Sequence, residues 1–246
     1  MKIHSLVVAL ITAAAGPAFA AMRDDVSHAV ADTTRPGDDT KLDALRKPAE
    51  VLAFADVRPG SMVGEYLPGG GYYTRLLSDI VGPTGHVYAL ETTTWGADNI
   101  NSAEALLSEP GRSNVSLDLA PLGDFHLAQK VDIFWITDNY HDLHIPKYAN
   151  VDMSAFNRHV FDSLKPGGYY FILDHAAAAG TGARLSPKLH RIDRQTVISE
   201  VTAAGFKLVG ESNVLANPAD DHSKPVFDPS IRWKTDQFIL KFQKPE

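Results

Sequence analysis

The 246-residue chain contains no cysteine. That absence excludes disulfide staples, thiolate nucleophiles and every cysteine-ligated metal centre. An excess of positive charge is also missing: Lys and Arg total 23 against 30 Asp and Glu, a formal net charge of -7. Duplex binding normally needs a basic footprint, so nucleic acid is not an expected partner. Long apolar runs are confined to the N-terminus, and the sequence has no internal repeats. Hydrophobic residues still make up 44% of the chain, enough for one core of ordinary size.

The N-terminus has the layout of an export signal. Met1 to His4 is a short basic start, Leu6 to Ala15 is almost wholly apolar, and Ala18-Phe19-Ala20 fits a small-x-small cleavage site. These features predict a signal peptide over 1–20, with Ala21 as first mature residue and a periplasmic or secreted location. The apolar run is short for a bilayer crossing, so no stable membrane span is expected after cleavage. Residues 21–37, rich in Asp, Thr and Arg, read as a polar leader, and 38–246 as a single domain.

Within that domain, strand and helix patterns alternate. Asp38 to Phe54 carries an apolar helical stripe flawed by Pro48. Strands are predicted over 62–67, 86–90, 115–119, 131–136, 169–173, 206–209 and 238–242, with helices over 72–80, 102–108, 151–164 and 191–204. The run 131–136 is almost continuously apolar, as strands buried on both faces of a parallel sheet are. Ala176 to Lys188 and the proline-rich stretch 217–235 read as loops. The pattern predicts an α/β doubly wound fold with a mostly parallel seven-stranded sheet.

Leu67-Pro68-Gly69-Gly70-Gly71 lies between the first strand and its helix, where such a sheet places its ligand crevice. Together with the flanking residues, Val63 to Thr74 resembles the first cofactor-binding motif of the class I S-adenosylmethionine (SAM)-dependent methyltransferases. Val131 to Asp138 resembles the fourth-strand motif, and Leu164 to Gly168 the turn before strand five. The resemblance spans roughly 45–246. More narrowly, Pro68 to Thr74, Asn139-Tyr140-His141-Asp142 and Asn217 to Asp221 resemble motifs of a group of predicted bacterial methyltransferases with export signals. The resemblance implies SAM as cofactor, with Glu65, Gly69, Gly70, Gly71, Tyr73, Glu91 and Asp138 as binding residues. Glu91 would accept the ribose hydroxyls. Leu67 departs from the family by standing in place of the first glycine, next to the methionine end of the cofactor.

Methyl transfer from a sulfonium requires alignment of the acceptor and, for some acceptors, removal of a proton. His141 is the candidate base because an imidazole titrates near neutrality. Asp138 or Asp142 would orient it, and Asp174, at the end of strand five, is a second candidate catalytic group. Structural roles for the same residues are the competing reading: His141 and Asp142 holding a loop, Arg191 in an ion pair. Asp220, Asp221 and His222 contain metal-ligating atoms, but neighbouring residues rarely reach one ion, and no metal site is expected. The expected acceptor is a small molecule, its reacting atom and the oligomeric state being open. The alternative is a non-catalytic binding protein on the same scaffold, a reading that export favours because SAM is made inside the cell.

Overall fold

The computed structural model describes residues 16–246, and for 16–23 the backbone alone. Most of the expected export signal over 1–20 thus lies outside the described residues. Helix α1 (Gly16–Ala31) is followed by two single turns, α2 (Gly37–Thr40) and α3 (Asp43–Arg46), and by α4 (Pro48–Ala55). The alternating body comprises β1 (Met62–Tyr66), α5 (Tyr72–Val81), β2 (His86–Thr92), α6 (Ala97–Leu107), β3 (Val115–Ala120), β4 (Val131–Thr137), α7 (Met153–Ser163), β5 (Leu164–His175), α8 (Ser186–Leu189), α9 (Arg194–Ala203), β6 (Lys207–Ser212) and β7 (Gln237–Gln243).

The seven strands form one sheet in the order β3-β2-β1-β4-β5-β7-β6. All pairings are parallel except those made by β7, which runs antiparallel to both β5 and β6. This is the doubly wound, mostly parallel seven-stranded architecture that the alternation predicted. The strand period of two sorts the core onto the two faces of the sheet. Phe134 and Ile136 of β4 pack with Tyr66, Tyr170 and the α7 residues Phe156 and Val160. Ile133 and Trp135 pack with Val63, Phe171 and the α5 residues Leu76 and Leu77 on the opposite face.

Three expectations are corrected. The helix predicted over 38–54 is broken into α2, α3 and α4. Pro48 disfavours helical backbone in the residue before it; Lys47 turns to φ 43, and Pro48 restarts the chain as the first residue of α4. The polar leader expected over 21–37 is largely helix packed on α4 and α5. Val26, Ala29 and Val30 recur at helical spacing and join the core, a stripe masked by the Asp-rich composition around it. Arg35 then clamps the segment by pairing with both carboxylate oxygens of Asp43 at 2.8 Å and donating to Val30 O. The helix expected over 191–204 begins at Arg194 because the Asp193 side chain accepts from Gln195 N–H and caps it.

Val26→Asp places a carboxylate at a position that is 2% exposed. Urea unfolding is expected to show a loss of about 2 kcal/mol or more; an unchanged midpoint would mean that α1 does not contribute to the fold.

Candidate functional site

At the carboxyl edge, β1 and β4 are adjacent, but their chains leave toward opposite sides of the sheet, which opens a crevice. Both strands end in a non-glycine residue with left-handed backbone, Leu67 and Asp138, each at φ 58. Each still bonds outward: Leu67 N–H donates to Leu90 O and Asp138 N–H to Leu173 O, both at 2.8 Å. Leu67 therefore takes up the conformation for which glycine is favoured, while its side chain, 4% exposed, is part of the core. Gly69 (φ 56) and Gly71 (φ 80) continue the turn, and a Cβ on Gly71 would meet Leu106 Cδ1 at 2.9 Å. Arg75, paired with Glu109 and Asp39, donates to Gly70 O and pins the loop.

The crevice is a cleft of about 300 Å³ whose walls include Glu65, Leu67, Gly69, Gly70, Tyr73 and Asp138. Tyr73 packs against Trp135, ring centres 5.1 Å apart. Glu65 is fully enclosed, and its Oε2 has no hydrogen-bond partner. Burial, augmented by the nearby Glu91 charge and opposed by Thr74 and Arg75, pushes its carboxyl up to about 7. Asp138 accepts from Gln237 Nε2 at 2.6 Å and faces Arg46 at 3.8 Å; burial raises its carboxyl despite the Arg46 charge. Glu91 sits behind the turn. Its Oε2 accepts from Gly69 N–H at 3.3 Å and its Oε1 from Thr92 N–H at 2.7 Å, and burial raises its carboxyl too.

Two crevice residues were not anticipated. Arg46 arrives from α3, lies over Tyr72 at 4.7 Å and Trp233 at 5.1 Å, and has a buried, unpartnered Nε. Trp233 comes from the proline-rich loop after β6 and closes the crevice from above. Only tertiary packing brings either one to the site; an aromatic residue in a proline-rich loop was the one available hint for Trp233.

Beyond Asp138, Asn139 Nδ2 donates to Thr137 O and Leu67 O, bridging the ends of β4 and β1. A short 3-10 turn, His141–His144, follows. Tyr140 is a core residue: its hydroxyl donates to Glu200 and accepts from Asn157. His141 Nδ1 donates to Asp174 Oδ1 at 2.7 Å. Asp174, wholly buried, also accepts from His141 N–H and His175 N–H. On its far side, His141 Nε2 faces Asp142 Oδ1 at 3.2 Å and His190 Nδ1 at 3.3 Å. Burial alone would lower the His141 pKa, but the two carboxylates outweigh it and hold the ring well above its usual value. Burial pushes neighbouring His175 down to about 3, against the Asp174 charge. Asp138 or Asp142 was expected to orient His141; Asp142 does face it, but the ring is held from its other side by Asp174 and not by Asp138, and neither His141 nor Asp174 lines a cleft. Asp142 and His190 do: with Trp95, Tyr148 and Phe227 they wall a second, open cleft of about 400 Å³. His190 was not among the expected site residues.

Arg191 and the Asn217–Asp221 motif serve architecture. Fully buried Arg191 pairs with Asp220 at 2.8 Å and donates to Lys224 O and Ala176 O. Asp221 is bonded to Ser223, and His222 to Asp236; the three residues do not converge on one point. Among the described residues, the group whose ligand atoms converge is His141, Asp142 and His190.

No protein-family model matches the chain, and no curated protein matches it either. Solved structures do resemble it. A SAM-dependent methyltransferase from Aquifex aeolicus is 18% identical over 85% of this chain and 100% of that one, with a TM-score of 0.56. One from Mesorhizobium loti is 16% identical over 82% and 99%, TM-score 0.56. The [4+2]-cyclase SpnF is 14% identical over 91% and 93%, TM-score 0.58. At these identities the likeness establishes the fold, a class I SAM-dependent methyltransferase-like fold, and SpnF carries that fold under the name of a different chemistry.

Two measurements test this geometry. Glu65 has a folded pKa of about 7 against an ordinary 4.5. The folded state therefore holds the extra proton between these values, and stability falls as pH rises through that window, by about 3 kcal/mol in all. Glu65→Gln is expected to remove this component from the pH dependence of urea unfolding; parallel curves for the two proteins would refute the assignment. Asp220→Ala leaves Arg191 buried without its carboxylate and is expected to cost about 3–5 kcal/mol; a loss under about 1 kcal/mol would mean that the pair is dispensable.

Proposed function

We propose that the chain transfers a methyl group from SAM to a small-molecule acceptor, with the cofactor in the crevice beside β1 and the acceptor in the second cleft. The observation that carries this reading is that the two clefts meet at Asn139, which lines both. Methyl transfer needs such an arrangement, two binding volumes with one point of contact. Bound SAM would supply a methyl carbon already activated on a sulfonium.

The crevice residues suit that ligand. Unpartnered Glu65 Oε2 and the Asp138 carboxylate offer acceptors to a cationic ammonium, and the unpartnered Arg46 Nε offers a donor to a carboxylate. Gly69, Gly70 and Gly71 let the ligand approach the backbone closely. Glu91 keeps lone pairs for a ribose diol beyond those used by Gly69 and Thr92. Tyr73 and Trp135 supply an apolar wall. On the acceptor side, Trp95, Tyr148 and Phe227 favour a flat, partly apolar molecule, and Asp142 and His190 face its polar atom. His141, held by Asp174, backs that pair and can take part in removing the acceptor proton. Export through the signal-like segment 1–20 belongs to the same proposal, with the domain acting outside the cytoplasm.

Calorimetry is expected to show saturable binding of SAM and of S-adenosylhomocysteine, weakened about tenfold to 100-fold in Glu91→Ala. His141→Asn is expected to retain that binding while losing turnover in an acceptor screen. Folded wild-type protein that binds neither compound would overturn the methyltransferase reading and favour a non-catalytic binder of another ligand.

A further inference from the structure

The convergence of His141, Asp142 and His190 goes beyond what the cofactor reading requires. The three atoms His141 Nε2, Asp142 Oδ1 and His190 Nδ1 form a triangle with sides of 3.2, 3.3 and 3.0 Å. Ligands that each sit about 2.0–2.1 Å from a tetrahedral ion are roughly 3.3 Å apart, so the triangle has the dimensions of one face of such a site. Hydrogen bonds hold these atoms only in pairs: a proton on His190 Nδ1 or on His141 Nε2 can be given to Asp142 Oδ1. With Nδ1–H given to Asp174, a neutral His141 has its Nε2 lone pair free, and a metal ion would accept a lone pair from all three atoms at once.

Several further features favour the ion. Asp174 fixes the His141 ring from behind at 2.7 Å, the carboxylate–histidine arrangement that orients metal-bound imidazoles. His190 reaches the triangle from another part of the chain, at the end of α8, and does so through left-handed backbone, φ 54. Non-glycine residues hold that conformation at a cost, and such strain concentrates at functional sites. Finally, the side of the triangle formed by Asp142 and His190 gives onto the second cleft, so a fourth position is open to water or to a ligand. Two imidazoles and one carboxylate on a single face match a divalent first-row transition ion and not the all-oxygen shells of magnesium or calcium.

We propose that His141, Asp142 and His190 bind a zinc-like divalent transition-metal ion whose open coordination position faces the acceptor cleft, with Asp174 as the positioning residue for His141. An ion there would withdraw charge from an oxygen ligand in the cleft and ease loss of its proton. The metal site does not depend on the methyl-transfer proposal, because it is read without SAM. It deepens that proposal by giving the acceptor an oxygen-bearing head group.

The test uses the full chain, stripped with a chelator and titrated with Co2+ alone. The expected result is a saturable visible absorption of low-symmetry cobalt at one equivalent, displaced by Zn2+. His190→Asn is the informative variant, since asparagine tolerates left-handed backbone while removing the ring nitrogen. It and Asp142→Asn should each weaken binding at least 100-fold with the circular-dichroism spectrum unchanged. Asp174→Asn should weaken it about tenfold to 100-fold. Glu91→Ala should leave the cobalt signal intact, which separates failure of this site from failure of the cofactor site. Folded wild-type protein without the cobalt spectrum, or a spectrum that survives in His190→Asn, would overturn the proposal.

Discussion

Asp174 is a carboxylate with no exposed surface, at the end of β5, and the wall of the second cleft is organised by the hydrogen bonds it accepts. A buried ionised group of this kind is tolerable only when its oxygens are fully used. Here they are used by His175 N–H on its own strand and by the backbone and ring of His141 on the turn after β4. One residue thereby fixes the position of the turn, the tautomer of His141 and the direction in which Nε2 points. Asp142, the next residue, and His190, reached across the loop after β5, then fall into place against that nitrogen. Removal of the carboxylate would leave the 3-10 turn without its anchor and His141 free to rotate, although the sheet itself would be untouched.

The crevice depends on a comparable constraint at the ends of β1 and β4. Side-by-side strands that send their chains to opposite faces must both turn sharply, and here both turn through φ 58. In many sequences glycine absorbs such a turn at little cost. This chain uses Leu67 and Asp138, each at an expense of about 1–2 kcal/mol, and each compensates differently. Leu67 buries its side chain in the core. Asp138 gains Gln237 and Arg46. Asn139 then ties the two ends together through Leu67 O. The departure from the glycine pattern is a change in how the turn is stabilised, and the turn itself is retained.

The fold was legible because its signals are local. Apolar strands and the turn residues between them specify a mostly parallel sheet; that β7 is its antiparallel member came from the structure. Glu65, the glycine turn, His141 and Asp174 could be placed at one edge for a related reason, because residues at the carboxyl ends of such strands share an edge wherever the sheet forms; that Asp174 is what holds His141 was not legible. The rest depended on packing that no local pattern encodes. Val26 and Ala29 were hidden in an acidic segment, and Pro48 counted as a flaw although it marks a full break, between α3 and α4. Arg46, His190 and Trp233 reach their clefts from segments far from them in sequence. His141 looked like a solvent-facing base because periodicity does not reveal that both of its nitrogens are already engaged.

The charge around the crevice also narrows the class of ligand it accepts. A dinucleotide or any polyphosphate needs free amides at the glycine turn and the start of the following helix. Here Gly69 N–H is given to Glu91 and Gly71 N–H to Pro68 O. The surrounding side chains include Glu65, Asp138 and Asp39 in the cleft wall, which would repel phosphate at short range. Asp39 is already paired with Arg75; the cation in the cleft wall, Arg46, is enclosed by Tyr72 and Trp233, a setting that stabilises one guanidinium and leaves it a single face for an anion. A site with several carboxylates and one recessed arginine is matched by a ligand that carries more positive than negative charge and a single small anionic end. A sulfonium amino acid attached to a nucleoside has that distribution; a pyrophosphate-linked cofactor has the opposite one. The electrostatics therefore argue against a pyrophosphate-linked cofactor in this crevice.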